Sequence, residues 1–128
     1  MSPALVEELE GLHAEEMLRK GSDVLLAPGM NIHRDPLCGR SFEYYSEDPL
    51  LTGLTAAAYV RGIQSRGASA CPKHLACNNQ ETQRWVNDSR VSQRALREIY
   101  LRGFRICVER ARPRTIMKGR NIQGACEK

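Results

Sequence analysis

The sequence predicts an α/β protein built from parallel strands. Short apolar segments of strand length alternate with longer segments of helix length, in the order α-β-α-β-α-β. The connections between successive strands are long enough for crossover helices, and successive β-α-β units form parallel sheets. Two long polar loops follow the ends of strands, which is where such folds place their sites. We therefore expect roughly three parallel, adjacent strands with flanking helices on one outer face, in an open sheet or in part of a barrel.

The first helix is predicted over Pro3–Lys20. Ser2 can cap it, Pro3 suits the first helical position and Gly21 is a typical stop. Its apolar residues recur near helical spacing: Leu5, Leu9, Leu12 and Met17. The short apolar run Val24–Pro28 that follows is typical of a strand buried on both faces.

The second half of the chain repeats this alternation. A helix is predicted over Leu51–Arg66 and a second strand over Ala70–His74. The third and clearest helix spans Ser92–Arg112, where apolar residues again recur at helical spacing. Thr115–Met117 is then predicted to begin a third strand.

Composition narrows the function classes. The chain has 128 residues and a formal net charge of +4, which is too weak a positive charge to indicate nucleic-acid binding. No segment approaches the roughly 18 apolar residues of a membrane span, and the start lacks the pattern of a secretory signal. An odd number of cysteines without C-x-x-C spacing argues against a disulfide framework and slightly favours a cytoplasmic location. They are Cys38, Cys71, Cys77, Cys107 and Cys126.

The loop between the first strand and the second helix concentrates charged side chains. They are His33, Arg34, Asp35, Arg40, Glu43, Glu47 and Asp48. A guanidinium group can donate paired hydrogen bonds to neighbouring sugar hydroxyls, and a carboxylate beside it can orient it. Arg40 and Glu43 are therefore either a sugar clamp or an ion pair that only braces a long loop.

The second strand ends in Lys73 and His74, which could both donate hydrogen bonds to a ligand. Successive strand residues point to opposite sides, so one of the two could instead be packed. A metal site is a further possibility, although the spacing of its cysteines matches no common zinc motif. Its candidate ligands are His33, Cys38, Cys71, His74 and Cys77.

Three ordered blocks of sequence carry a resemblance to a known family. They read N-I-H-R-x-P-L-C-G-R-x-F-E-Y-x-S-E-D-P, then K-H-x-A-x-N-N-Q-E, then S-x-R-A-L-R-E-I-Y-L-x-G-F. Together they resemble family 3 glycoside hydrolases, most strongly over residues 23–116. The resemblance implies that residues 1–128 are a fragment of the N-terminal catalytic domain, and so part of a (β/α)8 barrel.

The resemblance also implies a function and a set of residues. Family members of the β-glucosidase type hydrolyse terminal, non-reducing β-linked sugars by a retaining mechanism and need no cofactor. It places Arg40, Lys73 and His74 in contact with the sugar. Glu43 and Asp48 belong to the binding loop, where we expect supporting roles that orient other groups or brace the loop. The nucleophile and the acid/base residue are expected outside this chain, which is therefore expected to be inactive alone. The alternative is a non-catalytic carbohydrate-binding or remnant module.

The C-terminal segment departs from the family pattern. The family usually has Met-x-Ser-Tyr-Asn after the third strand, whereas this chain has Met117 followed by Lys118, Gly119 and Arg120. Arg120 stands at the tyrosine position, and no tyrosine role is assigned to it. About three strands of a barrel would also leave open sheet edges, which predicts possible self-association through them.

Overall fold

The computed structural model describes residues 2–119. It is an α/β arrangement of helices and short parallel strands, as the sequence predicts. In chain order the elements are α1 (Pro3–Arg19), β1 (Val24–Leu25), α2 (Pro49–Ser65), β2 (Ser69–Ala70), β3 (Lys73–Leu75), α3 (Gln93–Ala95), α4 (Arg102–Ala111) and β4 (Met117–Lys118). A short 3-10 helix, Ser41–Glu43, lies in the long loop before α2. The prediction for Arg120 lies outside the described residues.

The strands are parallel and adjacent, but they are shorter than predicted. β1 pairs with β2, β3 pairs with β4, and an isolated parallel bridge joins Gly29 to Lys73. The predicted second strand is therefore central, and it is split into β2 and β3 around Pro72. Proline has no backbone N–H to donate to a ladder, so pairing is interrupted there. The third strand is Met117–Lys118 rather than Thr115–Met117.

The first two helices begin and end close to their predicted positions. The second starts two residues earlier than predicted, at Pro49, because the Asp48 side chain accepts a hydrogen bond from the Leu50 backbone N–H at 2.8 Å. Aspartate at the cap followed by proline at the first position is a favourable helix start.

The third predicted helix is interrupted. Leu96–Tyr100 forms a π-helical segment between α3 and α4, and the Leu101 N–H donates to the Leu96 carbonyl at 2.8 Å. A π segment places one extra residue in a turn and changes which side chains face the core. Phe104 and Cys107 are buried on the resulting face, whereas Val108, four residues after Phe104 and so at helical spacing from it, is 42% exposed.

The helices form one layer, with α2 packed against both α1 and α4 and also against β2. Glycines allow the backbones to approach closely. A Cβ atom at Gly62 would lie 2.8 Å from Glu10 Cβ and would also meet the Glu7 carbonyl oxygen of α1. At the other crossing, a Cβ at Gly53 would lie 2.8 Å from Ile106 Cβ of α4. Small residues therefore set the spacing of this layer.

The close crossing also explains an unexpected pattern on α1. Ala14 and Met17 are buried, but Leu5, Leu9 and Leu12 are 51%, 52% and 55% exposed. The buried face of α1 consists of Val6, Gly11, Ala14 and Met17, so its leucines lie outside that face. Val24 in β1 and Leu26 after it are 43% and 54% exposed, so the prediction that this segment is buried on both faces is wrong for the described residues. The self-association that open edges predict stays a prediction.

Within the described residues, no helix is both long and apolar enough to cross a membrane.

We expect Gly62→Ala to destabilise the protein by about 1–3 kcal/mol, because the new methyl group would overlap the backbone of α1. This loss outweighs the gain of roughly 1 kcal/mol in helix propensity. Urea unfolding followed by circular dichroism measures the difference. Gly11→Ala is the matched control at the same crossing, since its Cβ would meet the flexible Arg66 side chain at 3.3 Å and would stay 3.8 Å from the Gly62 carbonyl oxygen, an ordinary contact distance. Equal stability of the two variants would contradict the close-crossing argument.

Candidate functional site

A cavity of about 270 Å³ opens beside the ends of β3 and β4. Its lining residues are Leu26, Arg40, Lys73, His74, Asn78, Arg84, Met117 and Lys118. The structure thus brings together the three side chains singled out from the sequence, Arg40, Lys73 and His74. Arg40 comes from the long loop after β1, whereas the other two belong to β3, and the peptide bond between them is cis.

The Glu43 carboxylate joins the two predicted cations. Its Oε1 accepts a hydrogen bond from Arg40 Nε, and its Oε2 lies 3.1 Å from Lys73 Nζ. Partial burial raises the pKa of Glu43, but the hydrogen bonds from Arg40 and Lys73 outweigh it, so the pKa is below its ordinary value. Glu43 is therefore ionised at neutral pH and orients both donors.

Asn31 contacts the backbone and the ring Nδ1 of His74, and Tyr44 contacts the same ring nitrogen. Asn31 exchanges two hydrogen bonds of 2.9 Å with the His74 backbone, and its Oδ1 lies 3.1 Å from the ring Nδ1. The Tyr44 hydroxyl lies 3.4 Å from the same nitrogen. Burial, followed by the nearby charges of Arg40 and Lys73, lowers the pKa of His74 to about 4. The imidazole is consequently neutral at physiological pH.

The polar loop after β3 forms the remaining side of the cavity. Asn78 Nδ2 donates to the Tyr44 hydroxyl at 3.1 Å and to Glu81 Oε1 at 2.8 Å. Glu81 also accepts from Arg84 at 3.1 Å and lies 3.9 Å from Arg40. Burial raises the pKa of Tyr44 to about 12, so its hydroxyl stays protonated. The two polar loops therefore meet through hydrogen bonds above the strand ends.

Asp48, predicted in a supporting role, lies at the start of α2 and caps that helix. Asp48 does not line the described cavity. It therefore supports the site by fixing the end of the long loop where α2 begins. His33 also braces the loop, through Nε2 and the Ser41 carbonyl at 3.0 Å. The residues described as a possible zinc set do not converge, since no group of three or more potential ligands that could hold a metal occurs within residues 2–119.

Sequence reasoning did not single out several residues that shape the cavity. Four of them belong to the motif blocks that carry the family resemblance, so their membership of a motif could have indicated them. They are Asn31, Tyr44, Asn78 and Glu81. Residue spacing alone does not reveal which of them turn inwards. Arg84 and Lys118 also line the cavity and lie outside those blocks, and no pattern in the sequence indicates them.

The comparison with protein families decides the classification. The model described as "Glycosyl hydrolase family 3 N terminal domain" matches residues 1–127. The chain belongs to glycosyl hydrolase family 3. The family resemblance of its motif blocks is therefore confirmed.

Curated relatives with glycosidase names match most of this chain. A "Beta-glucosidase" of Ruminococcus albus is 53% identical over 114 residues, which are 89% of this chain and 12% of that protein. An "Exo-alpha-(1->6)-L-arabinopyranosidase" of Bifidobacterium longum is 49% identical over 116 residues, 91% of this chain and 15% of that protein. The chain thus spans less than a sixth of either relative.

Solved β-glucosidase structures match the fold of this chain. The structure of β-glucosidase 3B from Thermotoga neapolitana in complex with α-D-glucose has a TM-score of 0.94 and 54% sequence identity. The match covers 98% of this chain and 18% of that one. A β-glucosidase from Kluyveromyces marxianus in complex with glucose matches with a TM-score of 0.92 and 45% identity, covering 94% and 15% of the two chains. The described elements are therefore part of the family 3 N-terminal domain.

The free energy of unfolding should fall as the pH is lowered from 6.5 towards 4. In this window the His74 imidazole takes up a proton in the unfolded chain but resists it in the folded one, because its pKa is lowered from 6.5 to about 4. The unfolded state then binds more protons, and acid favours it. Urea titrations at a series of pH values measure the slope.

His74→Gln should flatten this slope. His13→Gln is the control for the loss of a histidine, because His13 lies on α1, is 46% exposed and is not part of the cavity lining. A slope in His74→Gln as steep as in the unsubstituted chain would show that another group causes the pH dependence.

Proposed function

We propose that this chain forms the sugar-binding part of a family 3 glycosidase of the β-glucosidase type. The observation that carries the proposal is the convergence of Arg40, Lys73 and His74 on one cavity. These three residues occupy the family positions that resemblance assigns to sugar contact. Relatives described as β-glucosidases, and a β-glucosidase solved with glucose, support a terminal sugar as the ligand.

The chemistry of the cavity suits a neutral, hydroxyl-rich ligand. Arg40 and Lys73 donate hydrogen bonds only, and both are partly neutralised by Glu43. Side-chain exposures of 24% for Arg40 and 15% for Lys73 leave the cations within reach of a ligand but largely shielded from water. Hydrogen bonds from charged donors are stronger than those between neutral groups. A sugar hydroxyl could therefore accept from each cation without bringing a charge of its own.

The proposal includes the place of the chain in the larger architecture. Residues 1–128 would form part of a (β/α)8 catalytic barrel, with the cavity at the carboxyl ends of its strands, where such barrels place their sites. The nucleophile and the acid/base residue would lie outside this segment. A retaining mechanism needs two carboxyl groups about 5–5.5 Å apart on either side of the scissile bond. Glu43 is occupied by two cations, and Asp48 caps α2, so neither is suited to that work.

Glucose should perturb the NMR signals of residues around the cavity, and Arg40→Ala should weaken that binding by roughly tenfold or more, because a charged hydrogen-bond donor is lost. Titration of the isotope-labelled chain with glucose measures the affinity. Arg94→Ala is the matched control, since Arg94 is 84% exposed, pairs with Glu98 in the following turn and is not part of the described cavity lining. Equal affinities in the two variants would remove Arg40 from the sugar site.

The chain alone should not release the chromophore from an aryl β-glucoside, whereas a chain extended to the full length of the relatives should. The reason is that the binding groups can hold a sugar but cannot form a covalent intermediate or protonate a leaving group. Arg40→Ala in the extended protein should lower turnover while the fold is retained. Turnover by the 128-residue chain that disappears in Glu43→Gln would overthrow the placement of the catalytic carboxylates. Sugar binding without turnover in the extended protein would favour the non-catalytic alternative.

A further inference from the structure

The orientation of the Asn31 side-chain amide is fixed by its neighbours. Asn31 is 2% exposed, its Nδ2 donates to the His74 carbonyl, and its Oδ1 accepts from the His74 backbone N–H, both at 2.9 Å. The reversed amide would place two donors against each other and two oxygens against each other. Since buried polar groups are costly when unpaired, only the observed orientation is compatible with this pair.

This orientation determines where the imidazole proton resides. Asn31 Oδ1 also lies 3.1 Å from His74 Nδ1, and an amide oxygen can only accept a hydrogen bond. Nδ1 must therefore carry a proton. If Nδ1 were bare and accepted from the Tyr44 hydroxyl at 3.4 Å, its lone pair would face that of Asn31 Oδ1 at the shorter distance. Neutral His74 then has its lone pair on Nε2.

We propose that Asn31 is a positioning residue that fixes His74 in the Nδ1-protonated form, so that Nε2 accepts a hydrogen bond from one hydroxyl of the bound sugar. The identity of the ligand rests on the proposed function. The position of the proton does not, because it follows from contacts within the chain. In the described part of the chain, the hydrogen bonds of His74 use its Nδ1 and its backbone, and the residue lines the cavity.

An acceptor at this point complements the donors around it. Arg40, Lys73, Arg84 and Lys118 all bring donor-only groups to the cavity. A sugar hydroxyl both donates and accepts, so one hydroxyl can accept from a cation while donating to His74 Nε2. A fluorine atom in place of that hydroxyl could not donate. The site therefore selects for a free hydroxyl at one position of the sugar ring.

The first test locates the proton directly. Long-range ¹H–¹⁵N correlation spectra of the ¹⁵N-labelled chain at neutral pH distinguish protonated from bare ring nitrogens, and His13→Gln and His33→Gln assign the signals. We expect His74 to be neutral with the proton on Nδ1. A proton on Nε2 overturns the proposal. Tyr44→Phe removes only the weaker neighbour and should leave the proton on Nδ1, so a switch of tautomer in this variant also overturns it.

The second test replaces Asn31 itself. In Asn31→Asp a carboxylate would face Nδ1 at a similar distance, favour the imidazolium form and raise the pKa of His74 from its depressed value. The charged groups that already act on His74 are Arg40 and Lys73, which lower its pKa, and Glu43 and Glu81, which raise it. An NMR titration of the folded variant that leaves the His74 pKa unmoved overturns the proposal. If Asn31→Asp fails to fold, the unsubstituted chain and Tyr44→Phe decide the question.

The third test concerns the ligand and uses glucose beside its monodeoxyfluoro derivatives, titrated against the chain by NMR. One fluorine substitution should weaken binding by roughly tenfold or more, because it removes the donor to Nε2. Equal binding of all the derivatives overturns the acceptor role of His74. If neither glucose nor any derivative binds, the proposed sugar-binding function is wrong. The acceptor role of His74 Nε2 towards a sugar hydroxyl is then wrong as well. The positioning of His74 by Asn31 is then judged by the first two tests alone.

Discussion

The ion pairs of Glu43 with Arg40 and Lys73 hold the candidate site together. Arg40 and Glu43 belong to the long loop after β1, whereas Lys73 belongs to β3, so one carboxylate fastens the loop to the end of the strand. Two cations facing a small cavity repel each other, and the negative charge between them offsets that repulsion. Removing one partner of a shielded ion pair costs more than the pair contributes, because the remaining charge is left without compensation. The cavity as observed therefore depends on Glu43.

The loop can reach this position only because the strand end leaves room for it. A Cβ atom at Gly29 would lie 3.0 Å from Glu43 Oε2 and 3.1 Å from both the Glu43 carbonyl oxygen and Tyr44 Cδ1. Glycine at this point lets the 3-10 helix Ser41–Glu43 lie directly on the strand. The same close approach brings the Tyr44 hydroxyl to His74 and Asn78. A single small residue thus connects the packing of the loop with the hydrogen bonds of the site.

The parts of the fold that could be predicted from the sequence are those governed by local signals. The bounds of α1 and α2 follow from caps, prolines and periodicity, and the parallel arrangement follows from the order of the elements. The break at Leu96–Tyr100 could not be predicted, because a π segment adds a single residue to one turn and no proline or glycine within it marks the change. The exposure of Leu5, Leu9 and Leu12 was also hidden, since it depends on the contact of α1 with Gly62, about fifty residues away in the chain.

In the site, too, a pairing between residues close in the sequence could be predicted, whereas a pairing between distant residues could not. Arg40 and Glu43 are three residues apart, so their pairing is a local event that spacing can indicate. Asn31 and His74 are 43 residues apart, and their paired hydrogen bonds exist only because the segment after β1 lies beside β3, next to the bridge between Gly29 and Lys73. The local motif therefore predicts which donors face the cavity, whereas the fold determines where the acceptor lies. For this reason Arg40, Lys73 and His74 could all be named from the sequence, His74 as a donor like the other two, whereas the inference that its Nε2 is an acceptor required the structure.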